Sequence, residues 1–585
     1  MTRAAALQRG RLWATRAVLA GLALSLSAWT LHYRAPASDE GAILTQAAKI
    51  LRGGLYYQDI DAYPFPLASY LLAGWMALFG ESVQSARMLA ALVFTAIVLT
   101  VHGIALRVVS PGRALRVALA LLSLKFIAWP GLSAYFYWDV AFALACVAIA
   151  LYLGDAPAPR GARLFAVGVF TGLALLTKQT VGITLGAALV VLLLWPALAF
   201  GPHAGGASDP ATRRHRCAVL CAGAAAALLP ALAWFAAHGV LGAMLWSGFV
   251  RPFTGYLPTS GLAYDVPLRW WEFGRLRDAA ALPYLPEPLW QMLRRGEIPG
   301  RDLAPVHAAL AEVFARAFYS VIPAVLIAML WLRRRERSWQ PTSARSYALA
   351  LLAAALLLSA FPRADFPHLI SLFPLVAVLI FHLSERLPWP AWQRAGAQVE
   401  TGAVALLLAT TGALGVLHTR NLTHHMQLER ADLWVSPENA FVESVVRYVR
   451  DEVAPDEGLF VWVHEAQYYF LADRYFGWPF VQLYPGMTGD REGRALAQQL
   501  VAAPPRLVVR GLLGIEGIPD PDDYAPNLAR AVESLYRSEP RVFERYPPAG
   551  PVPPEWLVKV MRARRAPGLH SGRSTTKSPT TRKGR

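Results

Sequence analysis

Charge is what this sequence has little of: Asp, Glu, Lys and Arg make up 16% of its 585 residues, against about 25% in an ordinary soluble chain. That scarcity excludes a water-soluble protein of this length. Cysteine is scarcer still. Cys146, Cys217 and Cys221 are the whole complement, and all three lie in or beside apolar runs. No disulfide framework is therefore available to the long hydrophilic segments. Cys217 and Cys221 are spaced to share a helix face, but without His or a second Cys pair they read as packing residues. A zinc-protease signature is missing too, since "HEAQYY" at His464 lacks the second His of H-E-x-x-H. No internal repeat of the kind that builds a secondary transporter is evident.

What is present in quantity is apolar residues, 55% of the chain, with a mean hydropathy of +0.35. They gather into runs of about 20 residues, the length that crosses a hydrocarbon core. Hydropathy predicts about eleven spans. They are Leu12–Leu31, Met88–Val109, Ala114–Gly131, Asp139–Leu153, Arg163–Thr177, Val181–Ala199, Cys217–His238, Ala308–Leu332, Tyr347–Phe361, Phe366–Leu383 and Gly402–Leu417. The stretch from Arg163 to Phe200 is too long for one helix and is broken at "TKQT". The first run reads as an uncleaved anchor, although "RAPAS" after it offers an A-x-A pattern.

The net charge of +17 does not point to nucleic acid, because of where the charge sits. "RGRLWATR", Arg113 with Arg116, Arg160 with Arg163, "RRHR" and "RRRER" all fall on one side in an eleven-span chain. By the positive-inside rule that side is the cytoplasm. The expected location is then a cell (inner) membrane, with the N-terminus cytoplasmic and the C-terminal part outside. The spans occupy residues 1–427, with outer loops at 32–87 and 239–306. In the first loop "SDEGAILTQAAKILRGG" reads as a helix with Ser38 as N-cap and Gly53-Gly54 as stop. "PFPLASYLLAGWMALFG" follows as a helix lying at the interface. The second loop, "WSGFVRPFTGYLPTSGLAYDVPLRWWEFGRLR", is rich in aromatics and arginine, which suits the headgroup zone.

Residues 428–561 change character. "AFVESVVRYVRDEV" and "EAQYYFLADRY" read as helices, and "GLFVWV", "PRLVVRG" and "WLVKVM" as strands, a small α/β domain on the outer face. His418, His424 and His425 ahead of it read as a juxtamembrane turn. The basic tail 562–585 has no periodicity and no acidic residue, a composition expected to be disordered.

Ionisable residues recur at the outer helix ends: Asp39 and Glu40, Asp139 in "YFYWDVAFAL", Lys178 in "LLTKQTVGI", and Arg363, Asp365 and His368 in "FPRADFPHLI". Each has a structural reading. Asp39 and Glu40 sit where a helix dipole favours negative charge, Asp139 could cap its span, Lys178 could reach the headgroups, and Arg363 could pair with Asp365. Together, carboxylates and fixed cations on one side of a membrane suit a reaction that takes a proton from one substrate and neutralises an anionic leaving group on another.

The order of these features resembles the GT-C superfamily of membrane glycosyltransferases, in the branch of the protein O-mannosyltransferases and the lipid A aminoarabinose transferases. The carriers are "SDEGAILTQAAKILRGGLYYQD" after the first span, "YPFPLASYLLAGWMALFGESVQSAR", Asp139 at the start of a span, "GLALLTKQT" and "RADFPHLISLFPL". No single motif is highly specific; the resemblance lies in the ordered set, over about residues 12–418. It implies an α-helical polytopic fold and transfer of a sugar from a polyprenyl-phosphate donor to a hydroxyl of an envelope glycan, lipid or protein. Asp39 would then be the general base, and Glu40 would orient it or hold the acceptor. Lys178, Arg363 and His368 would hold the donor phosphate, and Asp139, Asp365 and Tyr63 would contact sugar or acceptor. A monophosphate can leave against such cations alone, so no cofactor is required, and a divalent cation is an optional aid. The readings set against this one are a lipid-linked glycan polymerase or ligase, a transporter and a non-catalytic scaffold.

Overall fold

The computed structural model describes residues 3–36, 38–129, 131–155, 161–200, 210–277, 283–286, 304–336, 341–387, 389–462, 464–483, 493–511, 521–551 and 558–564. Residues 565–585 of the basic tail and most of the 278–303 stretch lie outside the described residues, whereas Arg562 and Ala563, expected in the tail, are the end of a strand. The membrane part is a helical array: α1 (Arg3–Thr30), α2 (Ser38–Leu51), α3 (Leu67–Phe79), α4 (Val83–Ala105), α5 (Pro111–Ile127), α6 (Tyr137–Asp155), α7 (Gly161–Thr177), α8 (Gln179–Leu194), α9 (Pro210–Ala237), α10 (Ala304–Arg335), α11 (Pro341–Leu358), α12 (Phe366–Ile370), α13 (Phe373–Glu385) and α14 (Pro390–Arg420). Among the described residues, six helices are long and apolar enough to cross a membrane, and five shorter apolar helices accompany them. This is a multi-pass membrane protein.

Local sequence explains how the helices meet. Gly168 and Gly172 put the small-xxx-small pattern on α7, and Gly223 answers it on α9. A Cβ at Gly168 would sit 2.1 Å from the Leu220 carbonyl oxygen, and one at Gly223 2.0 Å from that of Phe165. Only hydrogen fits at these crossings. Between α7 and α8 a single residue, Lys178, leaves the helical conformation with φ −142° and ψ 106°, so the expected break at "TKQT" is one residue wide. The run expected as one span over Phe366–Leu383 is instead two helices, α12 and α13. Pro374 lies in the first turn of α13, where its missing N–H costs nothing, whereas inside a continuous helix its ring would clash with the preceding turn.

After α14 comes a hairpin, β1 (His424–Leu428) with β2 (Ala431–Val435), paired antiparallel. His424 and His425 are therefore strand residues and not part of a turn. A four-stranded sheet follows: β3 (Leu459–Trp462), β4 (Leu507–Gly511), β5 (Tyr536–Ser538) and β6 (Val558–Ala563), in the order β3-β4-β6-β5. β3 and β4 run parallel, while β6 is antiparallel to both β4 and β5. Helix α15 (Phe441–Glu452) buries Val442, Val445, Val446 and Val449, the spacing of one helix face. α16 (Gln467–Ala472) is buried along its length.

This α/β unit packs on α2. Arg34 N–H donates to the Trp434 carbonyl at 2.7 Å, and Trp434 N–H to the His32 carbonyl at 2.7 Å. Thr45 Oγ1 donates to the Ala466 carbonyl at 3.0 Å. Lys49 Nζ, whose pKa burial pushes down to about 8 against the pull of Asp59, bridges the carbonyls of Asp59 and Trp478 at 2.7 Å each. A Cβ at Gly41 would lie 2.4 Å from the Gln467 nitrogen, so α2 and α16 touch backbone to backbone. The Ser38 hydroxyl, expected as an N-cap, donates instead to the His464 carbonyl. The docked unit has taken that group over.

Candidate active site

Adjacent carboxylates on a helix point about 100° apart, and α2 uses the difference. Glu40 faces inward and is 1% exposed. Both its oxygens are taken by Arg87 from α4, Nε to Oε1 at 2.8 Å and Nη2 to Oε2 at 2.8 Å. The same guanidinium donates to the carbonyls of Leu31, Tyr33 and Arg34, so it ties the end of α1, the connecting chain and α2 into one knot. Asp39 turns another way. Gln482 of the α/β unit approaches it, its Nε2 lying 3.4 Å from Asp39 Oδ1.

The second group forms where α12 begins. Asp365 caps this helix, accepting the His368 backbone N–H at 3.1 Å. The same carboxylate takes Arg363 Nε at 2.6 Å and meets the His368 ring nitrogen Nδ1 at 2.5 Å. Burial pushes the Asp365 pKa up, but the charges and hydrogen bonds of His368 and Arg363 outweigh it and hold the carboxyl well below the usual range. Arg363 Nη1 also donates to the Ser260 carbonyl at 3.0 Å, and a backbone bridge joins Leu262 to Arg363. The His368 ring lies 5.4 Å from that of Trp138. Lys178, at the α7–α8 break, is within electrostatic reach of Asp365. Three basic side chains thus gather about one buried carboxylate.

Two tyrosines are in electrostatic reach of both groups. Tyr137 feels the charges of both Asp39 and Asp365. Tyr256, whose pKa burial pushes above the phenol range, feels Arg363, Asp365 and Asp39. Tyr63 packs edge-on to Tyr256 at 5.3 Å and under Arg251 at 4.8 Å; burial pushes its pKa to about 12, with Arg251 opposing. Arg251 is held by Asp61 at 2.5 Å, which joins the first outer loop to the aromatic one. Gln179, next to Lys178, donates to the carbonyls of Tyr63 at 3.1 Å and Gly248 at 2.9 Å. The chain around Gly248 winds in two wide π-helical turns, Trp246–Val250 and Pro252–Tyr256, a distortion frequent at functional sites.

Of the residues singled out from sequence, Asp39, Lys178, Tyr63, Arg363, Asp365 and His368 converge on this region. Asp139 does not join them by its contacts. It accepts from Ser371 Oγ at 3.2 Å and feels Lys125, which in turn donates to the Leu132 carbonyl at 2.6 Å. This inner cluster borders a small cavity lined by Phe94, Leu132, Tyr135 and Phe136. Reading the sequence missed Lys125, Asp61, Arg251, Gln179, Tyr137 and Tyr256. Arg251 and Tyr256 lay in plain view in "FVRPFTGY", but their aromatic neighbours suggested only an interfacial anchor. Among the described residues, no group of three or more His, Cys, Asp or Glu side chains is placed to hold a metal ion.

Comparison with known proteins bears on the fold. Residues 63–203 match the family profile described as dolichyl-phosphate-mannose-protein mannosyltransferase. Among curated proteins none matches the chain in sequence. The apo oligosaccharyltransferase of Archaeoglobus fulgidus shares the fold with a TM-score of 0.52 at 11% identity, over 90% of this chain and 73% of that one. ArnT from Cupriavidus metallidurans bound to undecaprenyl phosphate aligns at 15% identity over 94% of this chain and 98% of that one, with a TM-score of 0.48. The chain is thus a polytopic membrane protein with the GT-C fold. Within that class, residues 63–203 resemble the mannosyltransferase family.

Proposed function

We propose that this chain is an integral membrane glycosyltransferase that moves a sugar from a polyprenyl-phosphate-linked donor to a hydroxyl of a cell-envelope acceptor, be it lipid, glycan or protein, on the outer face of the membrane. One observation carries the reading: Tyr256, packed at 5.3 Å on Tyr63 of the first outer loop, is in electrostatic reach of both Asp39 and the Arg363–Asp365–His368 group. A base and an anion site thus lie near the same two tyrosines, Tyr137 and Tyr256. The profile match across residues 63–203, a stretch that includes Lys178, supports a lipid-phosphate donor.

Asp39 accepts the proton of the acceptor hydroxyl as that oxygen attacks the anomeric carbon. The bond from this carbon to the phosphate oxygen breaks, configuration inverts, and the electron pair leaves with the lipid phosphate. Lys178, Arg363 and His368 neutralise the departing charge. Asp365 holds two of these cations in place and does not contact the sugar in this reading. Tyr63 lines the sugar or acceptor side. Glu40 is committed to Arg87 and fixes the helix that presents Asp39. Asp139 supports the start of α6, which presents Tyr137. A divalent cation can add to the phosphate site without being required by it. Outer-face action rests on the cytoplasmic bias of Lys and Arg in the short loops.

The test is envelope glycan analysis in a strain deleted for the gene and complemented with wild type or Asp39→Asn at matched membrane levels. Loss of one sugar, restored by wild type and not by Asp39→Asn, is expected. Loss of whole polymers would indicate a glycan polymerase or ligase. Full restoration by Asp39→Asn would sink the mechanism.

A further inference from the structure

Asp39 is approached from outside the membrane part by a buried side chain that sequence reading did not single out. Gln482 follows the short segment that joins α16 to the rest of the α/β unit, and it is 9% exposed. Its Nε2 donates to Ser38 Oγ at 2.9 Å and lies 3.4 Å from Asp39 Oδ1. The direction of this chain of bonds is determined by its far end. The His464 carbonyl can only accept, so Ser38 spends its one proton there and must accept from Gln482. The Gln482 amide has two N–H bonds. One goes to Ser38, and the second points to Asp39.

The chemistry of the partner matters. Glu40, one residue on, is held by a guanidinium that cancels its charge. A neutral amide does something different: it orients a carboxylate without itself adding a counter-charge. Resting on the reading of Asp39 as general base, we propose that Gln482 is a positioning residue. In this role the C-terminal α/β unit completes the active site by aiming the Asp39 carboxylate through the Gln482–Ser38–His464 relay. The unit is then part of the catalytic machinery and not an appended module.

The test uses full-length protein in lipid nanodiscs. Synthetic polyprenyl-phosphate hexoses and pentoses serve as donors, and membranes from the deletion strain supply the acceptor. Gln482→Ala and Gln482→Met are compared with Thr45→Val, which removes one bond from the same docking surface without touching Asp39. Met keeps the length and volume of Gln and cannot donate, so it packs where Ala leaves a gap. Both Gln482 variants should lose about ten-fold in kcat, the scale of one charge-assisted hydrogen bond, with KM for the donor unchanged. Thr45→Val should leave both constants as in wild type. Wild-type kcat in Gln482→Met would overturn the proposal, because packing would then suffice. Equal losses in Thr45→Val would also overturn it, since docking alone would be the cause. Activity in Asp39→Asn would instead sink the general-base reading, and this proposal with it.

Discussion

The two neighbouring carboxylates of α2 have opposite surroundings. Glu40 is enclosed, paired in a two-pronged contact and tied through Arg87 to three carbonyls. Asp39 is met by a neutral amide and faces two tyrosines that also feel a cationic cluster. Residue type and sequence position are almost the same. The rotation of one helical step and the identity of the partner separate a structural clamp from a chemical group.

Substituting each in turn should pull the comparison apart. Asp39→Asn keeps the shape and removes the base, so transfer should fall by about 10²–10⁴-fold, with melting temperature and membrane yield unchanged. Glu40→Gln should do the opposite. It leaves Arg87 buried without its counter-charge, which costs about 3–5 kcal/mol of stability, seen as lower yield and a lower melting temperature. Replacing both partners, as Glu40→Leu with Arg87→Met, should recover part of that loss. If Glu40→Gln were stable yet inactive, the division of labour drawn here would be wrong.

Lys178→Met should have a smaller effect, with transfer reduced by about ten- to a hundred-fold through weaker phosphate neutralisation. Donor affinity should fall together with kcat, which steady-state kinetics on the purified protein would show. The effect confined to acid pH concerns the docking surface. Burial pushes the His464 pKa down from 6.5 to about 3. The folded state therefore holds this ring neutral while the unfolded chain takes up a proton. This contribution is complete above pH 6.5, is lost as pH falls toward about 3, and changes no further below that. Thermal melts across that window should show the α/β unit weakening on acidification, and His464→Leu should flatten the slope.

Much of this was legible in the chain itself. Scarce charge and runs of about 20 apolar residues define a multi-pass protein because the bilayer core tolerates little else. The ordered motifs pointed to Asp39, Lys178, Arg363 and His368, since ionisable groups at helix ends are costly unless used. Unlike β1, β2 and β5, the strands β3, β4 and β6 were also readable, as was the break at "TKQT", from local pattern and from length limits. These are properties of short segments, and short segments carry their own signal.

Tertiary structure decided the partners. That Glu40 belongs to Arg87, that Asp139 belongs with Lys125 and Ser371, and that Ser38 serves the C-terminal unit instead of its own helix are facts of which segments lie side by side. Gln482 meets Asp39 across more than four hundred residues of chain. A hydrogen bond or an ion pair acts over about 3 Å, and nothing in the composition of either segment records so short a distance. The sequence by itself determined which residues could carry charge at the membrane face; packing alone decided which of those charges are spent on the fold and which remain for chemistry.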